Sequence, residues 1–331
     1  MPETLILSTE PLAFPWACLD PFLFCVHHND RFPAGNAQMG PAASLKGRDL
    51  GQDFAFKDGW NMYHGRTVPG FPQHPHRGFE VVTVVPQGLL DHADSLGAAA
   101  RYGDGDVQWL TAGSGIVHSE MFPLLRLDQP NPVELFQIWL NLPAAQKMVK
   151  PEYTMFWSAQ QPRVSNDGSS FTVVAGSLDQ QQAPAPPKDS YAANPKSELL
   201  IAYGQILPKG KRSLPAASAG VNRCVYLFEG ALELGAQTFA APLRVQLRPD
   251  RAADLASAQG AKLLVLQGRP LGEPVASYGP FVMNNKQELM QAFEDYQRTQ
   301  FGGWPWDTDD PVHPREAGRF ARHPGGREER P

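Results

Sequence analysis

The sequence is poor in cysteine, in charge of one dominant sign, in long apolar runs and, over its second half, in histidine, and each scarcity excludes something. Its 331 residues include three cysteines, Cys18, Cys25 and Cys224. That odd number, at spacings that make neither a C-x-x-C pair nor a disulfide framework, reads as reduced core thiols. Lysine and arginine total 29 against 34 acidic residues, a formal charge of −5, whereas nucleic acid and anionic membranes are gripped by clustered basic surface. Direct nucleic-acid binding and membrane association are therefore not expected. No stretch approaches the ~20 apolar residues of a spanning helix. The opening MPETLILSTEPLAFPW carries Glu3 and Glu10 and lacks the basic-then-apolar order of a secretory leader, so the expected location is cytoplasmic. G-x-S-x-G, P-loop and H-E-x-x-H motifs are missing, which removes serine hydrolases, NTPases and zincins.

What is plentiful is glycine (30) and proline (32), punctuation that favours short strands and tight turns. The length suits about two domains of ~150 residues. From Asp20 to about Leu142 run the segments PFLFCVHH, GFEVVTVV, DVQWLTAG, GIVHSEMF and ELFQIWLNL, rich in Val, Ile, Phe and Trp and cut by the turn signals DSLG and GDGD. A second series, ELLIAYGQI, RCVYLFEG, ALELG, PLRVQL and KLLVLQG, begins near Glu198. Two such blocks predict a duplicated antiparallel β unit. The expected organisation is a first barrel over residues 1–177, a Pro/Gln-rich extended linker over 178–197, a second barrel with a helix over 198–302, and a poorly ordered tail over 303–331. The helix follows Asn285, which can cap it, with Glu288 three residues on and Leu289, Met290, Phe293 and Tyr296 at helical spacing. Trp304 and Trp306 are candidates to dock from the tail.

The nine histidines are the most informative residues, and none lies in the second strand block. His74-Pro75-His76 precedes an apolar run, and alternate residues of a strand share a face, so both imidazoles can meet one ion. His118-Ser119-Glu120 repeats the spacing with a carboxylate as its far member. If the two segments adjoin in one barrel, His74, His76, His118 and Glu120 offer three nitrogens and one oxygen to a divalent first-row metal, and an octahedral ion keeps two positions open. His27 and His28, being adjacent, point to opposite faces and suit hydrogen bonding. His64 and His92 are candidates to line the barrel mouth, with turn or surface positions the default reading, His313 and His323 fall in the tail, and Gly113-Ser114-Gly115 is a turn before the strand holding His118.

The strings PHPHRGFEVVTVV, GDVQWLTAGSGIVHSEM, FQIWLNLP and GPFVMNN closely resemble the pirin family of the cupin superfamily, from about Asp20 to Gly302. The resemblance implies an all-β bicupin, two stacked jelly-roll barrels with a C-terminal helix and a metal only in the first barrel. It implies His74, His76, His118 and Glu120 as ligands, with iron the usual ion and Mn, Ni, Cu or Zn as alternatives. The general cupin pattern would instead use Glu80 as the carboxylate; the pirin pattern makes Glu80 a group that orients a ligand or pairs with Arg77.

Two functions follow from the resemblance. One is a quercetin 2,3-dioxygenase acting on a flavonol and dioxygen, with ring cleavage and release of carbon monoxide. There the metal lowers the pKa of the 3-hydroxyl, Glu120 or Glu80 takes its proton, and Trp109, Met121 and Phe122 are candidates to line the cavity. The other is a metal-binding or redox-sensing regulatory protein acting through a protein partner.

Overall fold

A computed structural model describes residues 4–331. The chain divides into two units, one of His27–Ile138, Ala144–Ser158 and Glu273–Pro331, the other of Met1–Val26, Trp139–Pro143 and Ala159–Gly272. Both are built from strands, and Lys286–Thr299 is the one α-helix among the described residues. No helix there is long and apolar enough to cross a membrane.

The first unit holds two sheets. One runs in the order Glu152–Phe156, Val107–Thr111, Phe79–Gln87, then residues 131–138 and 27–32, the parts of two longer strands that fall in this unit. The run FEVVTVV is buried from Phe79 to Val85, as expected of β-branched residues packed on both faces. The other sheet runs Glu328–Glu329, Phe320–Arg322, Ala99–Gly103, Leu89–Asp94, Ile116–Met121 and Gly70–His76. Before Ile116 the chain turns at Gly113-Ser114-Gly115. Gly115 sits at φ 134°, and a Cβ there would lie 2.6 Å from the Phe301 ring, so only glycine fits both the backbone and the close approach.

In the second unit the sheet runs Ile6–Pro11, Leu243–Leu247, Asn222–Leu234, Ala261–Gly268, Leu200–Ile206, Ser169–Ala175 and Arg163–Asn166, and Gly210–Leu214 pairs with Ala253–Ser257. Alternating side chains such as Val225, Leu227, Val245, Leu263 and Val265 fill its interior together with Phe171 and Val173. Its core is apolar, and the one cluster of His, Cys, Asp or Glu side chains among the described residues that could hold a metal lies in the first unit.

Three segments differ from the sequence expectation. The Pro/Gln-rich stretch 178–197 is folded into the second unit: Ser177–Leu178 pairs with Gln181–Gln182, and Leu178 and Ala183 join the apolar core. Two anchoring side chains and the side-chain caps of Ser190 and Asn194 are enough to hold a tract whose average composition reads as linker. The helix belongs to the first unit. Asn285 caps it through Oδ1 to the Glu288 N–H at 2.9 Å, and Glu288 Oε2 accepts from the Asn284 N–H at 2.9 Å. Ala292 is buried with Val117, Phe281 and Phe301, and Leu289, Phe293 and Tyr296 pack around them, while Met290 is exposed. Arg77 ties helix to turn, donating to Asp295 Oδ2 at 2.8 Å and to the Ser114 carbonyl at 2.7 Å.

The tail, expected to be loose, is anchored. Phe320–Arg322 pairs with residues 99–101, and Trp306 Nε1 donates to the Asp94 carbonyl at 2.9 Å. The fully buried Arg101 donates twice to Asp91 and also to the carbonyls of His313 and Pro314. A buried guanidinium needs acceptors for five N–H groups; Asp91 takes two, and the tail carbonyls of His313, Pro314 and Arg315 supply three more acceptors. Composition without periodicity gave no sign of this.

Candidate metal centre

The strands Gly70–His76 and Ile116–Met121 pair antiparallel with His74 opposite His118 and His76 opposite Ile116, after a bulge between Phe71 and His74. The register brings three imidazoles to one face. Ring centroids are 4.5 Å apart for His74 and His118, 4.8 Å for His74 and His76, and 4.9 Å for His76 and His118. One nitrogen from each ring lies within 4.8 Å of the others.

Tautomers are set by the backbone. His74 Nδ1 donates to the Pro72 carbonyl at 2.8 Å and His76 Nδ1 to the Pro280 carbonyl at 3.4 Å, which leaves Nε2 of each ring as the lone-pair nitrogen. Burial disfavours the imidazolium, lowering the His74 pKa to about 4 and those of His76 and His118 well below the ordinary range. The three rings are neutral at pH 7, the form that binds metal. Both nitrogens of His118 are buried with no hydrogen-bond partner among the described residues, and such a group is almost always paired, with protein, water or an ion. The triad suits a divalent metal.

Glu120 stands two residues beyond His118 on the same face, its Oε2 4.0 Å from His118 Nε2. Oε2 accepts from Gln137 Nε2 at 2.6 Å and Oε1 from Thr83 Oγ1 at 3.2 Å. Burial raises its pKa, and its neighbours only moderate that rise. Glu80 is engaged elsewhere: its Oε1 accepts from Trp109 Nε1 at 2.9 Å and Thr111 Oγ1 at 2.8 Å. Residues 80 and 83 are an odd number apart in one strand, so Glu80 faces away from the side on which Thr83 reaches Glu120. The strand carrying the first histidine pair ends at His76 and a new one begins at Phe79, in a different sheet; alternation cannot be carried across that break from His76 to Glu80.

Of the residues expected to line the cavity, Trp109 is bonded to Glu80, and Met121 alternates to the face opposite Glu120. Phe122 lies with Phe71, Tyr63 and His28 in an aromatic cluster, and Phe71 is 6.5 Å from the His74 ring. His92, read as a turn or surface residue, is a wholly buried strand residue opposite Glu120. The apolar spacing around it, LLDHAD, was too short to show this. His64 Nδ1 donates to the Gly51 carbonyl at 2.8 Å, His27 Nε2 is 3.0 Å from Glu134 Oε1, and His323 Nε2 is 2.9 Å from Glu329 Oε1.

His28 heads a buried chain, its Nδ1 donating to Tyr63 Oη at 2.7 Å while the Tyr63 hydroxyl donates to Asp30 Oδ2 at 2.6 Å. Burial outweighs these bonds and pushes the Asp30 pKa up to about 7. Because the folded value exceeds the unfolded one, the contribution of Asp30 to stability is full below about pH 4 and is lost as pH rises through 7. The difference in urea-unfolding free energy between wild type and Asp30→Asn should fall as pH rises from 4.5 to 7.5, because the buried neutral histidines, which act in the opposite direction, are common to both proteins. Identical pH profiles for the two proteins would refute the assignment.

Two strand-built units, one bearing an imidazole triad and the other an apolar core, define a bicupin with one metal-type site among the described residues. Residues 19–140 match the pirin family model and residues 204–302 the pirin C-terminal cupin domain. The chain belongs to the pirin family. A pirin-like protein of Caulobacter vibrioides is 36% identical over 233 residues, covering 70% of this chain and 80% of its own. Human pirin is 31% identical over 254 residues, covering 73% and 81%. Among solved structures, a quercetin 2,3-dioxygenase from Acinetobacter baumannii is similar with TM-score 0.70 at 29% identity, covering 86% of this chain and 87% of that one.

Proposed function

We propose that this chain is a metal-dependent dioxygenase of pirin type that cleaves a flavonol such as quercetin with dioxygen, at a mononuclear centre held by His74, His76, His118 and Glu120. The observation that carries it is the convergence of three neutral imidazole nitrogens, those of His76 and His118 buried and that of His74 half-buried, within 4.8 Å of one another, two of them in tautomers that leave Nε2 to bind an ion. The similarity to a protein named quercetin 2,3-dioxygenase gives the substrate class. Iron is the favoured ion, and three nitrogens with one oxygen also accept Mn, Ni, Cu or Zn.

A bound divalent ion supplies Lewis acidity and open positions for substrate and dioxygen. The chain supplies the rest. The backbone carbonyls of Pro72 and Pro280 orient two rings. Thr83 and Gln137 hold the Glu120 carboxylate, which would bind the ion through one oxygen and take the flavonol hydroxyl proton. Glu80, bonded to Trp109 and Thr111, is left in a structural role.

Protein purified without chelator is analysed for metal, loaded with ferrous iron and mixed with quercetin in air. The expected result is bleaching of the flavonol absorbance with matched oxygen consumption, both lost in His74→Ala. Unchanged flavonol after full loading with each of these metals would overturn the enzymatic reading in favour of a regulatory metalloprotein.

A further inference from the structure

An imidazole that holds a metal through one nitrogen carries a proton on the other, and an acceptor for that proton fixes the ring's orientation and tautomer. For His74 and His76 the acceptors are the carbonyls of Pro72 and Pro280. His118 has no such partner among the described residues, and both its nitrogens are buried. With Nε2 toward Glu120, its Nδ1 bears the proton.

Beside it stands His92, wholly buried, its ring centroid 5.6 Å from that of His118. His92 Nε2 donates to Asp94 Oδ2 at 3.1 Å, so its Nδ1 presents a lone pair. Nothing among the described residues donates to that nitrogen. A buried donor without an acceptor and a buried acceptor without a donor therefore sit on adjoining rings, and each would cost stability if left unpaired.

We propose that His92 is a positioning residue of the metal centre, its Nδ1 accepting the Nδ1 proton of His118 across one buried water. The inference rests on the reading of the triad as a metal centre. His92 is well held for such a task. It lies cross-strand from Glu120, its ring stacks on Tyr153 with centroids 5.1 Å apart and planes at 20°, and its carbonyl accepts from His313 Nε2 at 3.0 Å. His313 is carried by the tail, beyond the residues that match the pirin C-terminal domain, so in this chain the tail buttresses the residue that orients a ligand.

The test uses full-length protein loaded with cobalt(II), which reports through affinity and through the paramagnetically shifted, exchangeable imidazole N–H resonances. Wild type should bind one ion and show three such resonances, one for each ligand histidine. His92→Phe keeps the ring and the stack on Tyr153 but offers no acceptor; it should bind about 10–100-fold more weakly, with one resonance lost to solvent exchange. His92→Gln, whose amide can both accept and donate, should stay within about threefold of wild type. Three resonances and wild-type affinity in His92→Phe would overturn the proposal while leaving the metal centre standing, as would equal loss in both variants, which would assign the effect to shape. Failure of wild type to bind cobalt stoichiometrically, or full affinity in His74→Ala, would instead remove the metal reading itself.

Discussion

Replacing His118 with alanine is expected to abolish stoichiometric metal binding, weakening affinity by more than the about 10–100-fold that loss of an outer hydrogen-bond partner costs. The reason lies in the register. His118 faces His74 across the strand pair and stands nearly equidistant from both rings of the His74–His76 pair, so its removal leaves two nitrogens from a single short segment. The carboxylate series sharpens the test. Glu120→Gln should lower bound metal and remove the proton acceptor, whereas Glu80→Gln should retain the metal and lose stability through its bonds to Trp109 and Thr111. Elemental analysis and calorimetric titration of the three variants decide the matter. Retention in Glu120→Gln with loss in Glu80→Gln would reverse the assignment of the two carboxylates.

The second large effect is on stability. Arg101→Met should cost about 3–5 kcal/mol, the penalty for breaking a buried pair by removing one partner. Arg101 and Asp91 are both fully buried and joined by two bonds of 2.7 Å. The substitution strands a carboxylate whose remaining donor is the His313 N–H at 2.7 Å, together with the tail carbonyls that Arg101 had satisfied. Pairing it with Asp91→Leu should recover part of the loss, since replacing both charges by apolar groups is far less costly than removing one. Urea unfolding gives the difference directly, and limited proteolysis should show the tail cleaved first in Arg101→Met. A change below about 1 kcal/mol, with a protected tail, would mean that the pair does not anchor the segment.

Much of this architecture is legible from local pattern. The β-branched runs between glycine and aspartate turns become strands because such residues pack well on a pleated surface, and the Asn285–Glu288 cap is a matter of four consecutive residues. The H-x-H and H-x-E spacings likewise announce shared faces, since strand alternation is a property of the backbone. What the pattern hid depends on distant partners. Leu178 and Ala183 mark their tract as core only once a sheet is there to receive them. The tail is held by a buried arginine more than two hundred residues earlier in the chain, and no composition window spans that separation.

By itself the sequence determined the strand-rich class, the pirin kinship and the identity of three histidines able to share an ion, because these follow from residue type and short-range spacing. Only the tertiary structure places Glu120 beside His118 and bonds Glu80 to Trp109 and Thr111, since the chain breaks its alternation between His76 and Phe79 and passes into another sheet. It also decided that His92 lies buried against His118 and that the tail stands behind it, both being consequences of strand register and of burying charge in a place where only particular distant groups can satisfy it.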